Sequence, residues 1–321
     1  MQKDISWMKG SFGLSSHYTQ TVVKYRSNDT KTYQQAIEEL DEEKIANTLA
    51  ELGCTHYIFT LTHGTQYLPM PCATLDRILP GRTCKRDFIS DLIKALKNKG
   101  IRLILYYNHS CNESGDPEWK DACGYSKGGK ENLDKFASNI CDIVREISLR
   151  YGKDVFGWWF DSAYSVDPRG KYNTITTDMG DWLFPWDKLV EAVESGNPNS
   201  AVTINSGIDE HYRYYENMDY WAGEMEKLDY NPYCDKDDLQ QTRWLPIEGN
   251  YAWVLGSYIW VLEKRLMDFL PSAYAKEDVK KYLDVQLNAG NMVTFNVLTD
   301  IDGTINPLIV EFLKDIKKQS V

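Results

Sequence analysis

The stretch "KRDFISDLIKALKNKGIRLILYYN", residues 85–108, constrains the fold of this 321-residue chain more than any other. Its first part carries apolar residues at helical spacing and closes on Lys99-Gly100, a helix-stop signal. The run Ile101–Asn108 follows at once and, after Arg102, is apolar until its last three residues, as a strand buried on both faces would be. An amphipathic helix feeding such a strand is half of a parallel α/β unit.

The same alternation extends along the chain. "SFGLSSH" (11–17), "CTHYIFTLT" (54–62), "VFGWWFD" (155–161), "AVTIN" (201–205) and "NMVTFNV" (291–297) read as strands. "MDYWAGE" (218–224) is a weaker strand pattern. Helical patterns occupy 41–53, 85–100, 130–152, 276–290 and 306–319, and 179–200 holds another helix with its terminating turn. About eight strands alternating with helices predict one (β/α)₈ barrel domain spanning 1–321. Neither GxGxxG nor GxxxxGK[ST] occurs, which leaves an open nucleotide-binding sheet without support. Between 225 and 275 Pro, Asp and Trp are dense, and the barrel is expected to be irregular there.

Charge removes several functions. The formal net charge is −11 with no Lys/Arg run, so neither nucleic acid nor an anionic membrane is an expected partner. No apolar stretch approaches the roughly 20 residues of a membrane span, and the N-terminus lacks a signal-peptide core. The seven cysteines form no CxxC, which favours reduced thiols and a cytoplasmic setting, or a secreted one if a leader has been removed. Cys72/Cys84 and Cys111/Cys123 are spaced to pair within loops. Asn28, Asn108 and Asn112 fit the Asn-x-Ser/Thr sequon, a triplet that chance supplies freely. The ten Trp and twenty-one Tyr suit sugar faces, because C–H groups stack on the ring while the polar rim bonds hydroxyls. They suit an ordinary core equally.

In a (β/α)₈ barrel the chemistry sits at the C-terminal strand ends. Here those ends carry His17, His63, Tyr106 and Tyr107, Asp161, Asn205 and Glu224. Any one could be structural: Asp161 a helix cap, His17 a satisfied core histidine. Their convergence on one rim points to a site. Two carboxylates among hydrogen-bonding groups fit glycoside hydrolysis, one as nucleophile and one as acid/base. There is no HExxH. "DIDGT" (300–304) reads as a tight turn rather than a calcium loop, and "DKDD" (235–238) as a solvated loop.

Four segments resemble the catalytic barrel of the α-L-fucosidases of glycoside hydrolase family 29. "SFGLSSHYT" is similar to the family's first strand. "FTLTHGTQY", with the arginine-aspartate helix and the Tyr-Tyr strand after it, is similar to its histidine-pair region. "GWWFDSAY" is similar to its Trp-x-Asp nucleophile strand, and "FNVLTDIDGTINPLIVEFLKDIKK" to its closing strand, turn and helix. The resemblance implies Asp161 as nucleophile and Glu224, in "DYWAGEM", as acid/base, with Glu226, Glu216 and Glu248 as competitors. It also implies sugar contacts from His17, His63, Tyr107 (or Tyr106, one position earlier), Trp159 and Asn205. No metal or organic cofactor is implied.

The chain departs from the family at several points. Thr62 stands in place of the first histidine of the pair, and Gly207 in place of an arginine. The Glu-Trp-Tyr segment is missing, and the family's C-terminal β-sandwich is not expected. A changed lining implies a changed sugar or linkage. The expected activity is retaining, exo-acting hydrolysis of a terminal α-L-fucoside, or a related sugar such as L-galactose, in an oligosaccharide or glycoconjugate. A catalytically silent carbohydrate-binding barrel of the same ancestry is the alternative.

Overall fold

The computed structural model describes residues 3–112, 115–168, 175–207, 214–224, 228, 248–250, 275–297 and 299–318. Seven strands are β1 (Phe12–Ser16), β2 (His56–Thr62), β3 (Arg102–Asn108), β4 (Val155–Asp161), β5 (Ala201–Ile204), β6 (Glu248–Asn250) and β7 (Met292–Asn296). They form one sheet in the order β5-β4-β3-β2-β1-β7-β6, and every neighbouring pair is parallel. Parallel neighbours need a crossover of a dozen or more residues, which the intervening helices supply.

The helix Phe88–Asn98 illustrates how the sequence specifies these crossovers. Asp87 caps its start by accepting from the Ser90 amide, and Gly100 ends it with φ +71°. Phe88, Ile89, Leu92, Ile93, Ala95 and Leu96 are buried against the sheet. Each large apolar side chain so buried contributes about 1.5–3 kcal/mol. The longer helix Lys130–Tyr151 packs on Trp186–Glu194 in the same layer.

Two faces of the sheet carry two cores. The helix-facing side holds most of the apolar residues, including Phe59, Leu105, Tyr107, Trp158 and Phe160. The other side encloses a smaller cluster of Ile58, Ile104, Tyr106, Trp159, Ala201, Tyr220 and Met292, with Met8 buried among them. Because strand side chains alternate, residues two apart share a face. Tyr106 and Asn108 therefore face the inner side beside Trp159 and Asp161, with which they are in register.

The expected weak strand 218–224 is not a regular strand. It runs beside β5, tied by Asp219 N to Val202 O (2.8 Å) and by the Thr203 hydroxyl to Tyr220 O (2.7 Å). Asp219 also turns its carboxylate back onto Val202 N, spending a side chain on a bond that a backbone carbonyl makes in a regular ladder. The described strands thus form one parallel sheet of seven, and among the described residues the ring is not closed. Among the described residues no helix is long and apolar enough to cross a membrane.

The 300–304 segment is the expected tight turn, with Gly303 N donating to Asp300 O and Asp300 N to Thr304 O. The "DKDD" segment and Cys234 lie outside the described residues. The other six cysteines are buried thiols, with no disulfide among the described residues, as the reduced reading expects. Cys111 and Cys123 are neighbouring thiols with sulfurs 3.5 Å apart.

Candidate active site

The inner ends of β1, β3, β4, β5 and β7 place His17, Asn108, Asp161, Asn205 and Asn296 at one mouth. Asp161 is the hub. Its Oδ2 accepts from the Tyr106 hydroxyl at 2.5 Å and from Asn108 Nδ2 at 3.1 Å, and its Oδ1 accepts from Asn205 Nδ2 at 2.9 Å. All three partners donate, which suits a group that can only accept, as an ionised carboxylate does.

Asn205 Nδ2 also donates to Glu224 Oε2 at 2.6 Å. Gly207 N donates to Asn205 Oδ1, which fixes the amide with its nitrogen toward the carboxylates. Bridged by one atom, Asp161 Oδ1 and Glu224 Oε2 lie no more than 5.5 Å apart. Of the competing glutamates, Glu216 is exposed, Glu226 lies outside the described residues, and Glu248 opens β6 with its side chain undescribed.

An aromatic and imidazole wall adjoins the carboxylates. Tyr106 stacks on Trp159 with centroids 5.0 Å apart, His17 meets the Tyr106 edge at 4.7 Å, and His63 lies 5.7 Å from His17. Burial and the neighbouring His63 push His17 down to about 4, and burial lowers His63. Both rings are therefore neutral near pH 7, each keeping one donor and one acceptor nitrogen. Burial and the charge of Asp161 raise the Tyr106 phenol well above its usual range, so it remains a donor. His17 Nδ1 lies 3.2 Å from Asn296 Oδ1. The Trp159 indole N–H is buried and has no hydrogen-bond partner among the described residues.

The structure thus brings together Asp161, Glu224, His17, His63, Trp159 and Asn205. It corrects Tyr107, which points to the helix layer and donates to Gln66 Oε1 at 2.6 Å. Strand parity is the reason, and the neighbouring Tyr106 takes the place at Asp161. Asn108, Asn296 and Ser162 join the network without having been singled out as site residues. A signal for Tyr106 was present: Asn108, polar at a strand end, belongs at the mouth, and Tyr106 shares its face. The sequons at Asn108 and Asn112 fall on buried asparagines. Among the described residues no three His, Cys, Asp or Glu side chains cluster as a metal site requires.

A family model described as Alpha-L-fucosidase matches residues 2–318. Among solved structures, the fold is similar to that of an endo-fucoidan hydrolase of glycoside hydrolase family 107. The TM-score is 0.70 at 14% identity, over 98% of this chain and 53% of that one. It is also similar to a family 29 α-L-fucosidase from Bacteroides thetaiotaomicron, with a TM-score of 0.69 at 17% identity over 99% of this chain and 74% of that one. A family 29 α-L-fucosidase from the same organism, trapped as a covalent intermediate with 2-fluoro-fucosyl fluoride, matches at a TM-score of 0.69 and 17% identity, over 98% and 73% of the two chains. The chain thus spans about half the length of the first of these structures. A search of the curated proteins finds no match.

Proposed function

Because the chain belongs to the α-L-fucosidase family, we propose that it is a retaining exo-glycosidase acting on a terminal α-L-fucosyl or closely related residue. The observation that carries this reading is the Asn205 bridge, which holds Asp161 Oδ1 and Glu224 Oε2 within 5.5 Å. Retaining enzymes hold their carboxyl groups about 5–5.5 Å apart, whereas inverting enzymes leave room for a water at about 6.5–9.5 Å. The fold is read as a closed (β/α)₈ ring in which 218–224 takes the place beside β5.

In the first step Asp161 attacks the anomeric carbon while Glu224 gives its proton to the leaving oxygen. A glycosyl ester on Asp161 results. Glu224, now a carboxylate, takes a proton from water, which attacks the same carbon from the opposite face and releases the sugar with its configuration retained. The neutral His17 and His63 supply hydroxyl contacts, and the indole N–H of Trp159 is a donor awaiting one.

The test is hydrolysis of an aryl α-L-fucoside by wild type, Asp161→Gly and Glu224→Ala, with and without azide. Azide is expected to rescue Asp161→Gly to the β-fucosyl azide and Glu224→Ala to the α-fucosyl azide. A wild type inert toward a broad aryl-glycoside panel overturns the reading and favours the silent sugar-binding barrel. If Glu224→Ala keeps full activity, the acid/base assignment passes to Glu226 or Glu248 while the nucleophile stands.

A further inference from the structure

We propose that Asn108 is a positioning residue for the Asp161 carboxylate and that Ser162 holds it in that role. The inference rests on reading Asp161 as the nucleophile.

Asn108 is the last residue of β3, in register with Asp161 on β4, and is 1% exposed. Its amide has only one orientation. Oδ1 accepts from the Ser110 backbone N–H at 2.7 Å and from the Ser162 hydroxyl at 3.0 Å. A backbone N–H can only donate, so Nδ2 must be the atom that faces Asp161 Oδ2. Asn108 and the Tyr106 hydroxyl together fix Oδ2 from the β3 side. That sets the plane of the carboxylate and the direction in which Oδ1 points.

Ser162 directly follows Asp161 and has φ +66°, a left-handed conformation that a serine adopts only when its surroundings hold it. Three side chains do so, from the last residue of β3 and the segment that follows it. Besides Asn108, Asn112 Nδ2 donates to the Ser162 hydroxyl at 2.9 Å, and His109 Nε2 bonds the Ser162 carbonyl at 2.8 Å. Cys111 N donates to His109 Nδ1, which leaves the ring proton on Nε2. A strained residue beside the proposed nucleophile, braced by three buried polar side chains as well as by the Ser165 N–H on its carbonyl at 3.0 Å, is more than packing needs. Its effect is to lock the turn that carries Asp161 against the amide that orients it.

The titratable groups facing Asp161 are Tyr106, Glu224, His17, His63, His109 and Tyr164. None of them changes in the variants that test the proposal. Asn108→Asp sets a second carboxyl at hydrogen-bond distance from Asp161, and two such groups compete for one proton. The acidic limb of kcat/KM on an aryl α-L-fucoside is expected to move up by about one pH unit or more. Asn108→Ala is expected to lower kcat roughly tenfold or more with little change in KM. Ser162→Gly keeps the left-handed turn, which glycine adopts freely, and removes only the hydroxyl. Its kcat is expected to fall several-fold with the melting midpoint unchanged.

The inference is overturned if the acidic limb of Asn108→Asp coincides with that of wild type while Asp161→Asn abolishes turnover. It is also overturned if Asn108→Ala and Ser162→Gly lose activity only in proportion to lost folded protein. If Asp161→Asn keeps turnover, the nucleophile reading itself has failed, a result separate from the other two.

Discussion

Tyr106 and Tyr107 are consecutive in sequence, and their hydroxyls lie on opposite faces of β3. Tyr106 donates to Asp161 Oδ2 at 2.5 Å, and Tyr107 donates to Gln66 Oε1 at 2.6 Å. One hydroxyl ends in the mouth of the sheet and the other in the packing beneath the helices. The pair separates chemistry from structure at a single step of the chain.

Removing each hydroxyl should therefore read out differently. Tyr106→Phe takes a donor from the carboxylate and is expected to lower kcat/KM on an aryl α-L-fucoside by about 10–100-fold, the effect of losing one hydrogen bond to a charged group of roughly 1.5–3 kcal/mol. Tyr107→Phe leaves the Gln66 carbonyl oxygen with one donor fewer. It is expected to cost about 1–2 kcal/mol in urea unfolding while activity stays close to wild type. Equal activity losses in the two variants would remove the distinction.

The parity that separates these tyrosines was only partly visible in the sequence. Strands such as β3 are buried on both faces, so hydrophobicity does not alternate and gives no inward direction. The β/α order was legible because helix stops such as Lys99-Gly100 and caps such as Asp87 are local signals. Segment 218–224 was read as a strand because its composition is strand-like. It turned out irregular because Asp219 returns its carboxylate to Val202 N. The site was legible as strand-end polar residues, but not in its wiring. That Asn205 spends its amide protons on two carboxylates, and that Ser162 is braced by the segment after β3, depends on register between strands far apart in sequence.

Buried His56 and His109 and half-buried His17 give the fold an acid-labile component. Burial lowers His17 to about 4, His109 to about 4 and His56 to about 3. Their unfolded values lie near 6.5, so below that pH the unfolded chain binds more protons than the folded one. The stability each contributes is complete above pH 6.5 and is lost as pH falls toward about 4, and for His56 toward about 3. Each costs about 1.4 kcal/mol per pH unit within that window. Urea midpoints are expected to fall steeply from pH 6.5 to 4.5, and His56→Gln is expected to make the slope shallower. An unchanged slope would show that His56 is not held neutral by the fold.

Gly303 pins the 300–304 turn against the helix Glu42–Glu51. Its φ is +87°, and a Cβ there would stand 2.8 Å from Asp41 O and 3.1 Å from Ile45 Cγ1. Gly100 also has positive φ, +71°, but an added Cβ there meets nothing within 4 Å. Gly100→Ala is expected to cost only the backbone term of about 1–2 kcal/mol. Gly303→Ala adds a clash with backbone and is expected to cost about 1–3 kcal/mol more. Urea unfolding of both variants isolates the clash, and equal costs would show that the turn shifts to accommodate the methyl.

Asn205 donates to both proposed catalytic groups, so its loss should be felt in both chemical steps. In Asn205→Ala the carboxyl groups of Asp161 and Glu224 lose the donor they share. The expected fall in kcat/KM is about 100-fold, more than the loss of one surface contact, because a preorganised donor in a partly buried site is removed. A reactive dinitrophenyl leaving group, which needs no acid, should restore the glycosylation step only in part, since Asp161 is also misplaced. Deglycosylation should slow in parallel and appear as a changed burst amplitude. Full rescue by the reactive leaving group would assign Asn205 to Glu224 alone, and no rescue would assign it to Asp161 alone.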